Sequence, residues 1–453
     1  MNNHKSFSIS FQRELTKRNL AMDSEIDKAL QELNFRSLLG QSRIRKQKGY
    51  EAITILFFIV LLPFLKKSMT AYWSEENLGQ SIAAQKDTFY RFLNHERYNW
   101  RRLVYLLAIK LTSMNSHVPL KEKVLIADDT ITPKTGKKME LVSYHFDHKT
   151  RKSTLGYQFL QLAYQDNANF FPLDMVSHTS SKRPNTDTKN IDKRTCGWKR
   201  RKESISKKTD QLIEMVRRAS QHGIEASFLL FDSWFAFDNV IAQVLKNGYG
   251  VICRLKATKT KYQYHDQSYT LKQLWKNVAK KQAKTLKGVN VKGVCLDVSL
   301  PQSGMVRVLF IANGYKKWQA FLSTDLELEP YEILNYYSRR WSIEVFFKDG
   351  KQLLYMGQGQ SETFDAVIAC YSLVMIRYLL LVYITNKYNH KGPIGPLFRE
   401  LAESHLQLSQ TKAVWAYVKE LLFLSSQLLW TDTEVDKLLE LIDIIDNNVD
   451  ISF

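Results

Sequence analysis

The stretch SFLLFDSWFAFDNVIAQVLKNG, residues 227–248, decides the fold class of this chain. Its apolar run from Phe228 to Phe231 has the continuous hydrophobicity of a strand that is covered on both faces. The run stops at Asp232, and a helical pattern follows. A carboxylate at the end of such a strand lies where α/β folds usually bind ligands. The alternative is that Asp232 is a turn or N-cap residue.

A second stretch, VLIADDT, has the same form and begins 103 residues earlier, at 124–130. The apolar run from Val124 to Ala127 predicts a buried strand that stops at Asp128 and Asp129. Either acid could be the functional one, and both could equally be turn residues. Two buried strands that end on acids indicate a site at one edge of a sheet.

A third stretch, YEILNYYSRRWSIEVFFKDGKQLL at 331–354, has a helical pattern. On one helix, Tyr337, Arg340, Glu344 and Lys351 would lie within a sector of about 60°. One carboxylate with two cations and a phenol suits a phosphodiester beside a metal ligand better than it suits a core. The alternative is an exposed helix with an Arg340–Glu344 ion pair at i,i+4.

Asp128, Asp232 and Glu344 together supply three carboxylates. Mg²⁺ prefers oxygen ligands, and two such ions can activate the attacking oxygen and stabilise the leaving oxygen of a phosphodiester. The three acids are therefore candidate ligands of a two-metal site.

The motifs LIADDT, LLFDSWFA and LNYYSRRWSIEVFFKDGKQLL, in this order, resemble the DDE transposases of bacterial insertion sequences. The Tyr/Arg/Glu/Lys array is similar to that of the insertion-sequence family numbered four. The resemblance runs from about Val124 to about Tyr383. It implies that Asp128, Asp232 and Glu344 are the catalytic, metal-binding triad, holding two Mg²⁺ (or Mn²⁺) per active site. Asp129 is the alternative first acid, and Asp128 is preferred because Thr130 completes the family pattern Asp-x-Thr.

The same resemblance implies further partners. Tyr337, Arg340 and Lys351 would contact DNA, and a hairpin would form at the transposon end. Double-stranded DNA at the element ends and target DNA would be the substrates of a protein that forms a homodimer on DNA. A bacterial cytoplasmic location follows, with association with the nucleoid when DNA is bound.

Composition agrees with a nucleic-acid partner. The formal net charge of the 453 residues is +20, which favours a polyanion. The densest basic stretch, from Lys182 to Lys208, contains Pro184 and Gly197 and is predicted to be a mobile loop that contacts the DNA backbone. The alternative is a solvated loop without a partner.

Cysteine and apolar patterns exclude several classes of protein. The four cysteines form no CxxC, and His145 and His148 lack partner ligands, so neither a zinc site nor a disulfide framework is expected. The N-terminus has no apolar core of a signal peptide. The apolar run from Ala52 to Leu65 is too short to span a bilayer, and Arg377 argues against a span after Ala366. No membrane partner is expected.

Patterns along the chain predict an α/β fold with an RNase H-like core. Strand patterns followed by alternating helices and strands give this order. The predicted segments are a helical N-terminal domain at 1–118, core at 119–255, a β-rich insertion at 256–325, core with the Glu344 helix at 326–385, and a helical C-terminal region at 386–453 that could mediate dimerisation.

The N-terminal segment contains a possible helix-turn-helix, LGQSIAAQKDTFYRFLNHERYNW at 78–100. Its second helix would bury Phe89, Phe92 and Leu93. The outward residues, predicted to bind DNA ends, are Lys86, Tyr90, Arg91 and Asn94. An ordinary helical hairpin is the alternative.

The sequence therefore predicts a cut-and-paste DNA transposase that uses two metal ions for phosphodiester hydrolysis and strand transfer. Two alternatives remain open. One is a catalytically inactive, transposase-derived DNA-binding protein, against which all three acids and the complete array argue. The other is a metal-dependent DNA nuclease that hydrolyses without strand transfer.

Overall fold

The computed structural model describes most of the chain. The described residues are 25–74, 85–114, 117–147, 150–167, 169–185, 191–289, 291–313, 317–388 and 392–404, with isolated positions 418, 437 and 440. They belong to two compact units. The helical unit comprises Met1–Gly40, Ile44–Leu93 and Tyr383–Phe453, and the sheet unit comprises Gln41–Arg43 and Asn94–Val382. Residues 94–118, predicted as part of the N-terminal domain, thus fall in the sheet unit. The bounds of the five predicted segments stay a prediction.

Helices from both ends of the sequence form the helical unit. They are α1 Glu25–Glu32, α2 Phe35–Gln41, α3 Ala52–Leu61, α4 Met69–Ser74, α5 Lys86–Leu93 and a helix over 394–404. The apolar helix α3 is mostly buried. Glu32 accepts hydrogen bonds from the Tyr383 hydroxyl and the Lys387 ammonium, both at 2.7 Å.

The predicted helix-turn-helix is described only in its second half. α5 buries Phe89, Phe92 and Leu93, which confirms the predicted inward face. The first predicted helix lies largely outside the described residues, as does most of the C-terminal region predicted to mediate dimerisation.

Six strands form the core of the sheet unit. They are β1 Val124–Pro133, β2 Ser143–Asp147, β3 Lys152–Asp166, β4 Asn169–His178, β5 Phe228–Phe231 and β6 Gly250–Leu255. β4, β3, β1, β5 and β6 lie side by side in that order, and β2 pairs with the first part of β3. β1 and β4 are antiparallel to β3, whereas β5 is parallel to both β1 and β6. This mixed sheet with its flanking helices confirms the predicted RNase H-like core.

The first acidic strand differs from the prediction. β1 does not stop at Asp128 but continues to Pro133, with Asp128 opposite Gln161 and Asp129 opposite Leu160. The reason is the long β3, which keeps pairing with β1 as far as Gly156. β5 does stop at Phe231, so that Asp232 directly follows the strand as predicted.

The β-rich insertion extends the same sheet. Its strands are β7 Lys261–Tyr264, β8 Gln267–Thr270, β9 Lys284–Thr285, β10 Lys292–Leu300, β11 Gly304–Asn313 and β12 Lys317–Ser323. β12 pairs antiparallel with β6, and β11, β10, β7 and β8 follow outward. Between β8 and β9 runs the insertion helix, which consists of Leu271–Leu274, a π-helical Trp275–Ala279 and Lys280–Gln282.

Among the described residues, seven further α-helices begin in the sheet unit, and the last of them ends in the helical unit. They are α6 Trp100–Met114, α7 Cys196–Ser204, α8 Lys208–Gln221, α9 Asp238–Lys246, α10 Pro330–Ser338, α11 Trp341–Gln352 and α12 Phe364–Lys387. α12 is long and apolar enough to cross a membrane, but 89% of its most apolar window is buried inside the protein. Its Tyr371 and Tyr378 rings pack on Phe159 and Phe170 of the sheet at 4.0 and 5.8 Å between centroids. α12 is thus packed as a core helix.

The array from Tyr337 to Lys351 does not lie on one helix. α10 ends at Ser338 and α11 begins at Trp341, with Arg339 and Arg340 in the turn between them. At this turn the Arg340 amide donates to the Tyr337 carbonyl and the Ile343 amide to the Arg340 carbonyl, at 3.1 and 3.2 Å. These i→i−3 hydrogen bonds interrupt the α-helical pattern. The prediction of a single helical face was therefore wrong.

The basic stretch from Lys182 to Lys208 is also not simply a mobile loop. Residues 186–190 lie outside the described chain, but 196–204 form α7. Arg200 and Arg201 on this helix are buried. The Arg201 guanidinium donates to both carboxylate oxygens of Glu140 at 2.6 and 2.7 Å, and to Asp365 at 2.8 Å. Part of the predicted DNA-contacting charge is thus used inside the fold.

Candidate active site

The register of the sheet places Asp128 and Asp232 on the same side. Parallel pairing aligns Val124 with Phe228 and Ile126 with Leu230. Two residues further along the chain come Asp128, still in β1, and Asp232, the first residue after β5. Because side chains alternate between the two faces of a sheet, both carboxylates are expected on the same face as these aligned residues, and Asp129 on the opposite face.

Arg340 joins two of the candidate acids. Its Nη1 donates to Asp128 Oδ2 at 2.7 Å, and its Nη2 donates to Glu344 Oε1 at 2.5 Å. The turn between α10 and α11 holds this side chain toward the sheet, and Glu344 lies in the first turn of α11. A strand acid and a helix acid are therefore brought together through one guanidinium, which forms strong charge-assisted bonds to both.

Burial, with the charges of neighbouring acids, raises the pKa values of Asp128 and Asp232. Burial, with the neighbouring charges of Asp129 and Asp232, raises the pKa of Asp128 to about 7, although Arg340 opposes the shift. Burial also raises the pKa of Asp232, against the hydrogen bond that the Trp234 amide donates to it at 2.8 Å. The site therefore concentrates more negative charge than Arg340 alone neutralises.

Asp129 has a different set of partners. Its Oδ2 accepts from Lys208 Nζ at 2.6 Å, and its Oδ1 accepts from Gln158 Nε2 at 2.9 Å. The Lys208 ammonium also lies 4.0 Å from the centre of the Trp234 ring, a cation–π contact. Through Trp234, whose amide binds Asp232, Lys208 connects the two acidic strands.

Sequence reasoning missed Lys208 as a member of the site. It is the last residue of the basic stretch, and no local pattern distinguishes it from its neighbours. The strand alternation gives one usable signal: it turns Asp129 away from Asp128, so a partly buried Asp129 would need its own cation.

The remaining predicted DNA contacts lie at different distances from the acids. Burial raises the pKa of Tyr337, whose ring lies 5.8 Å from the Arg340 guanidinium and 5.0 Å from the Phe321 ring. Lys351 is exposed on α11, seven residues and about 10 Å along the axis from Glu344. Tyr337 thus lies beside the acids, and Lys351 lies two turns away.

The predicted DNA-end residues of the N-terminal segment divide between the two units. Lys86, Tyr90 and Arg91 are exposed on α5 in the helical unit, whereas the acids lie in the sheet unit. Asn94 belongs to the sheet unit, is partly buried, and accepts a hydrogen bond from the Thr363 hydroxyl. Its side chain is therefore engaged inside the sheet unit.

The donor set of the site suits a divalent metal. Asp128, Asp232 and Glu344 offer hard oxygen atoms, which Mg²⁺ and Mn²⁺ prefer. Burial raises the pKa of Asp128, and a bound cation would favour its ionised form. Within the described ranges, no three His, Cys, Asp or Glu side chains already stand as a formed metal site. Arg340 occupies oxygens of two of the acids in this arrangement.

Two family models match the chain. The model described as DDE superfamily endonuclease matches residues 59–274, and the model described as Transposase DDE domain matches residues 201–380. The first match includes Asp128, Asp129 and Asp232, and the second includes Asp232 and Glu344. None of the curated proteins compared with the chain matches it. The family matches support a DDE transposase or endonuclease that acts on DNA.

Proposed function

We propose that this protein is a DNA transposase that moves an insertion sequence by cut-and-paste transposition. The observation that carries the proposal is the Arg340 guanidinium, which donates to both Asp128 and Glu344. Asp232 follows the neighbouring strand β5, and its charge acts on Asp128. The two family matches support the same chemistry class. Membership of the insertion-sequence family numbered four rests on the Tyr/Arg/Glu/Lys array and remains part of this proposal.

Asp128, Asp232 and Glu344 would hold the metal ions, two per site. Bound there, Mg²⁺ or Mn²⁺ supplies the Lewis acidity that in-line displacement at phosphorus requires. In the first reaction, a water oxygen bonds to phosphorus and the 3′ oxygen of the element end leaves as a hydroxyl. In the second, that 3′-hydroxyl bonds to a target phosphorus and releases a target 3′ oxygen. The protein's task in both is to hold the reacting phosphate in line.

Asp128 is the proposed first acid in preference to Asp129. It shares the phase of Asp232 and binds the arginine that also binds Glu344. Asp129 is already paired with Lys208 and Gln158. A carboxylate that already forms an ion pair with a lysine is a poorer metal ligand. If Asp129 bound a metal, Lys208 would lose its partner, and its side chain is only 9% exposed.

Arg340 is proposed to exchange carboxylates for phosphate when DNA binds. Its Nε has no protein acceptor among the described residues although it is buried, so the guanidinium keeps one donor for a further anion. Tyr337, beside Arg340, and the exposed Lys351 would contact neighbouring phosphates. A hairpin at the transposon end is the proposed intermediate in which these contacts matter most.

The remaining parts of the proposal concern assembly. Lys86, Tyr90 and Arg91 on α5 are proposed to bind the element ends. Asn94, predicted together with them, instead accepts a hydrogen bond from Thr363 within the sheet unit. A homodimer on DNA is proposed because two ends must be cut. We propose action in the bacterial cytoplasm, at the nucleoid when DNA is bound.

A cleavage assay tests the central claim. The full chain is incubated with Mg²⁺ and a plasmid that carries the DNA flanking its gene, and nicks, hairpins and double-strand breaks are resolved on gels. Asp128→Asn, Asp232→Asn and Glu344→Gln should each abolish cleavage and leave DNA binding nearly intact, because each removes a hard anionic ligand with little change of shape. Cleavage that survives all three substitutions would overturn the proposal.

The same assay separates the alternatives. Asp129→Asn should retain part of its cleavage; if it is inactive while Asp128→Asn cuts normally, Asp129 is the first ligand. Pre-cut ends with a free 3′-hydroxyl should be joined to target DNA. Cleavage without joining would identify a nuclease, and binding without cleavage would identify an inactive DNA-binding protein.

A further inference from the structure

The insertion carries a lysine-rich segment that the function described above does not use. Residues 272–287, KQLWKNVAKKQAKTLK, contain six lysines and no acid. These lysines are all exposed, and we name them the lysine face: Lys272, Lys276, Lys280, Lys281, Lys284 and Lys287. In the part of the chain that the structure describes, none of the six forms an ion pair with a carboxylate.

The scaffold under the lysine face is well ordered by its own contacts. Thr270 and Gln273 form a capping box at the start of the insertion helix. Trp275 packs between Phe310 and Trp318 of the sheet, with ring centroids 5.8 and 5.7 Å away. β9, which carries Lys284, pairs with β10. The lysines therefore lie on a segment that packs against the sheet and not on a flexible loop.

The charge pattern works against the stability of the insertion helix. Lys272, Lys276 and Lys280 are spaced four residues apart, so like charges repel along the helix. The helix also contains a π-helical turn, a feature found frequently at functional sites. A row of lysines with no acid in the same segment is typical of a surface whose partner supplies the negative charge.

The lysine face lies within reach of a DNA duplex held at the acids. From β5, which leads into Asp232, five strand steps reach β7 through β6, β12, β11 and β10. At about 4.8 Å per step this is roughly 24 Å, and less if the sheet twists strongly. That span is shorter than one helical turn of duplex DNA, about 34 Å.

We propose that the lysine face binds the phosphate backbone of double-stranded DNA without reading its sequence. The choice of DNA rests on the proposed function and on the DNA-acting family matches. Lysine ammonium groups neutralise phosphates as point charges and carry no base-specific geometry. The face would hold the duplex beside the segment being cut, while the acids act on the scissile phosphate.

Salt-dependent binding tests this inference apart from catalysis. The full chain is titrated with a 40-base-pair duplex of arbitrary sequence in EDTA, from 50 to 200 mM salt. Lys272→Gln/Lys276→Gln/Lys280→Gln is compared with Lys137→Gln/Lys152→Gln/Lys246→Gln, which removes three exposed lysines elsewhere on the sheet unit. If each lysine of the face contacts one phosphate, the slope of log Kobs against log salt should shrink by about 2.7 in the first variant. The control variant should keep a slope close to that of the parent protein.

Lysine acetylation provides an independent readout. The six lysines should be protected by duplex in the parent chain, and Lys137, Lys152 and Lys246 should not. Equal slope changes in both triple variants would show that net charge alone acts, and an unchanged slope without protection would show a solvated face; either overturns the inference. Stronger competition by duplex RNA than by duplex DNA would overturn the choice of partner. If the face binds DNA but the chain never cleaves it, the inference stands and the proposed function fails.

Discussion

Two basic regions of the sheet unit use their charge in opposite ways. The stretch from Lys182 to Lys208 looks more like a DNA-binding loop in the sequence, yet its Arg201 and Lys208 are paired with acids inside the fold. The lysine face of the insertion attracts less notice because it lies in a helical pattern, yet all its lysines are exposed. The difference shows that charge density alone does not identify a nucleic-acid surface. The basic residues must also lie where no acid of the protein pairs with them.

The inward role of Arg201 should have a large effect on the stability of the fold. Arg201→Met should lower the free energy of unfolding by about 3–5 kcal/mol, because Glu140 and Asp365 would remain buried without their cation. Urea unfolding measures the change. Lys202→Met, the exposed neighbour on α7, should stay within about 0.5 kcal/mol of the parent. Equal effects of the two substitutions would contradict an inward role for Arg201.

Two buried histidines near Lys208 should make the stability of the fold depend on pH. Burial, with the positive charge of Lys208, lowers the pKa of His145 and of His178 to about 4. The unfolded chain binds protons on these residues below about pH 6.5, whereas the folded chain does so only near pH 4. The stability that the two neutral histidines contribute is therefore complete above about pH 6.5 and is lost as the pH falls toward 4.

The expected loss between pH 7 and 5 is on the order of 3 kcal/mol for the pair. His145→Gln/His178→Gln should reduce the pH dependence of the unfolding free energy by this amount. His117→Gln, an exposed histidine, should leave the pH dependence unchanged. An unaltered pH profile in the double variant would show that the two rings are not held neutral by the fold.

Lys208 tests whether an inward basic residue also supports the site. Lys208→Met should lower cleavage about 10- to 100-fold, the usual cost of losing an outer partner of metal ligands, with duplex affinity little changed. The reason is that Lys208 contacts both Asp129 and the Trp234 ring, whose amide binds Asp232. Lys208→Arg should recover part of the activity, and a raised Mg²⁺ requirement in Lys208→Met would distinguish positioning from loss of folding. The exposed Lys207→Met is the control; an equal loss there would contradict the assignment.

Much of the fold was predictable because its signals are local. Continuous apolar runs identified β1 and β5, and the order of strands and helices indicated the RNase H-like core. The break between α10 and α11 was not predictable in this way, since Arg339 and Arg340 are ordinary helix formers. Their side chains bind Glu122, Gln165 and Asp128, which lie more than 170 residues away in the sequence.

The same distinction between local sequence patterns and contacts with distant residues applies to the candidate site. The acids could be proposed from strand ends and from a family motif, because each lies in a recognisable local pattern. Lys208 could not, since its partners are Asp129 in β1 and Trp234 in the turn after β5, which become its neighbours only in the folded protein. The burial of Arg201 likewise depends on Glu140 and Asp365, at separations of 61 and 164 residues.

The smallest expected effect concerns the stability of the insertion helix. Lys276→Glu replaces two repulsive i,i+4 relations, with Lys272 and Lys280, by attractive ones. The free energy of unfolding should rise by about 0.5 kcal/mol, while the affinity for duplex DNA falls because the lysine face loses two units of charge. Thermal unfolding and duplex titration measure the two quantities on the same protein. Lys276→Gln, which removes the repulsion without adding attraction, should lie between parent and Lys276→Glu in both. If the lysine face serves to bind a partner, the stability should rise while the affinity for duplex DNA falls. If both fall, Lys276 is instead part of the packing that holds the insertion helix to the sheet.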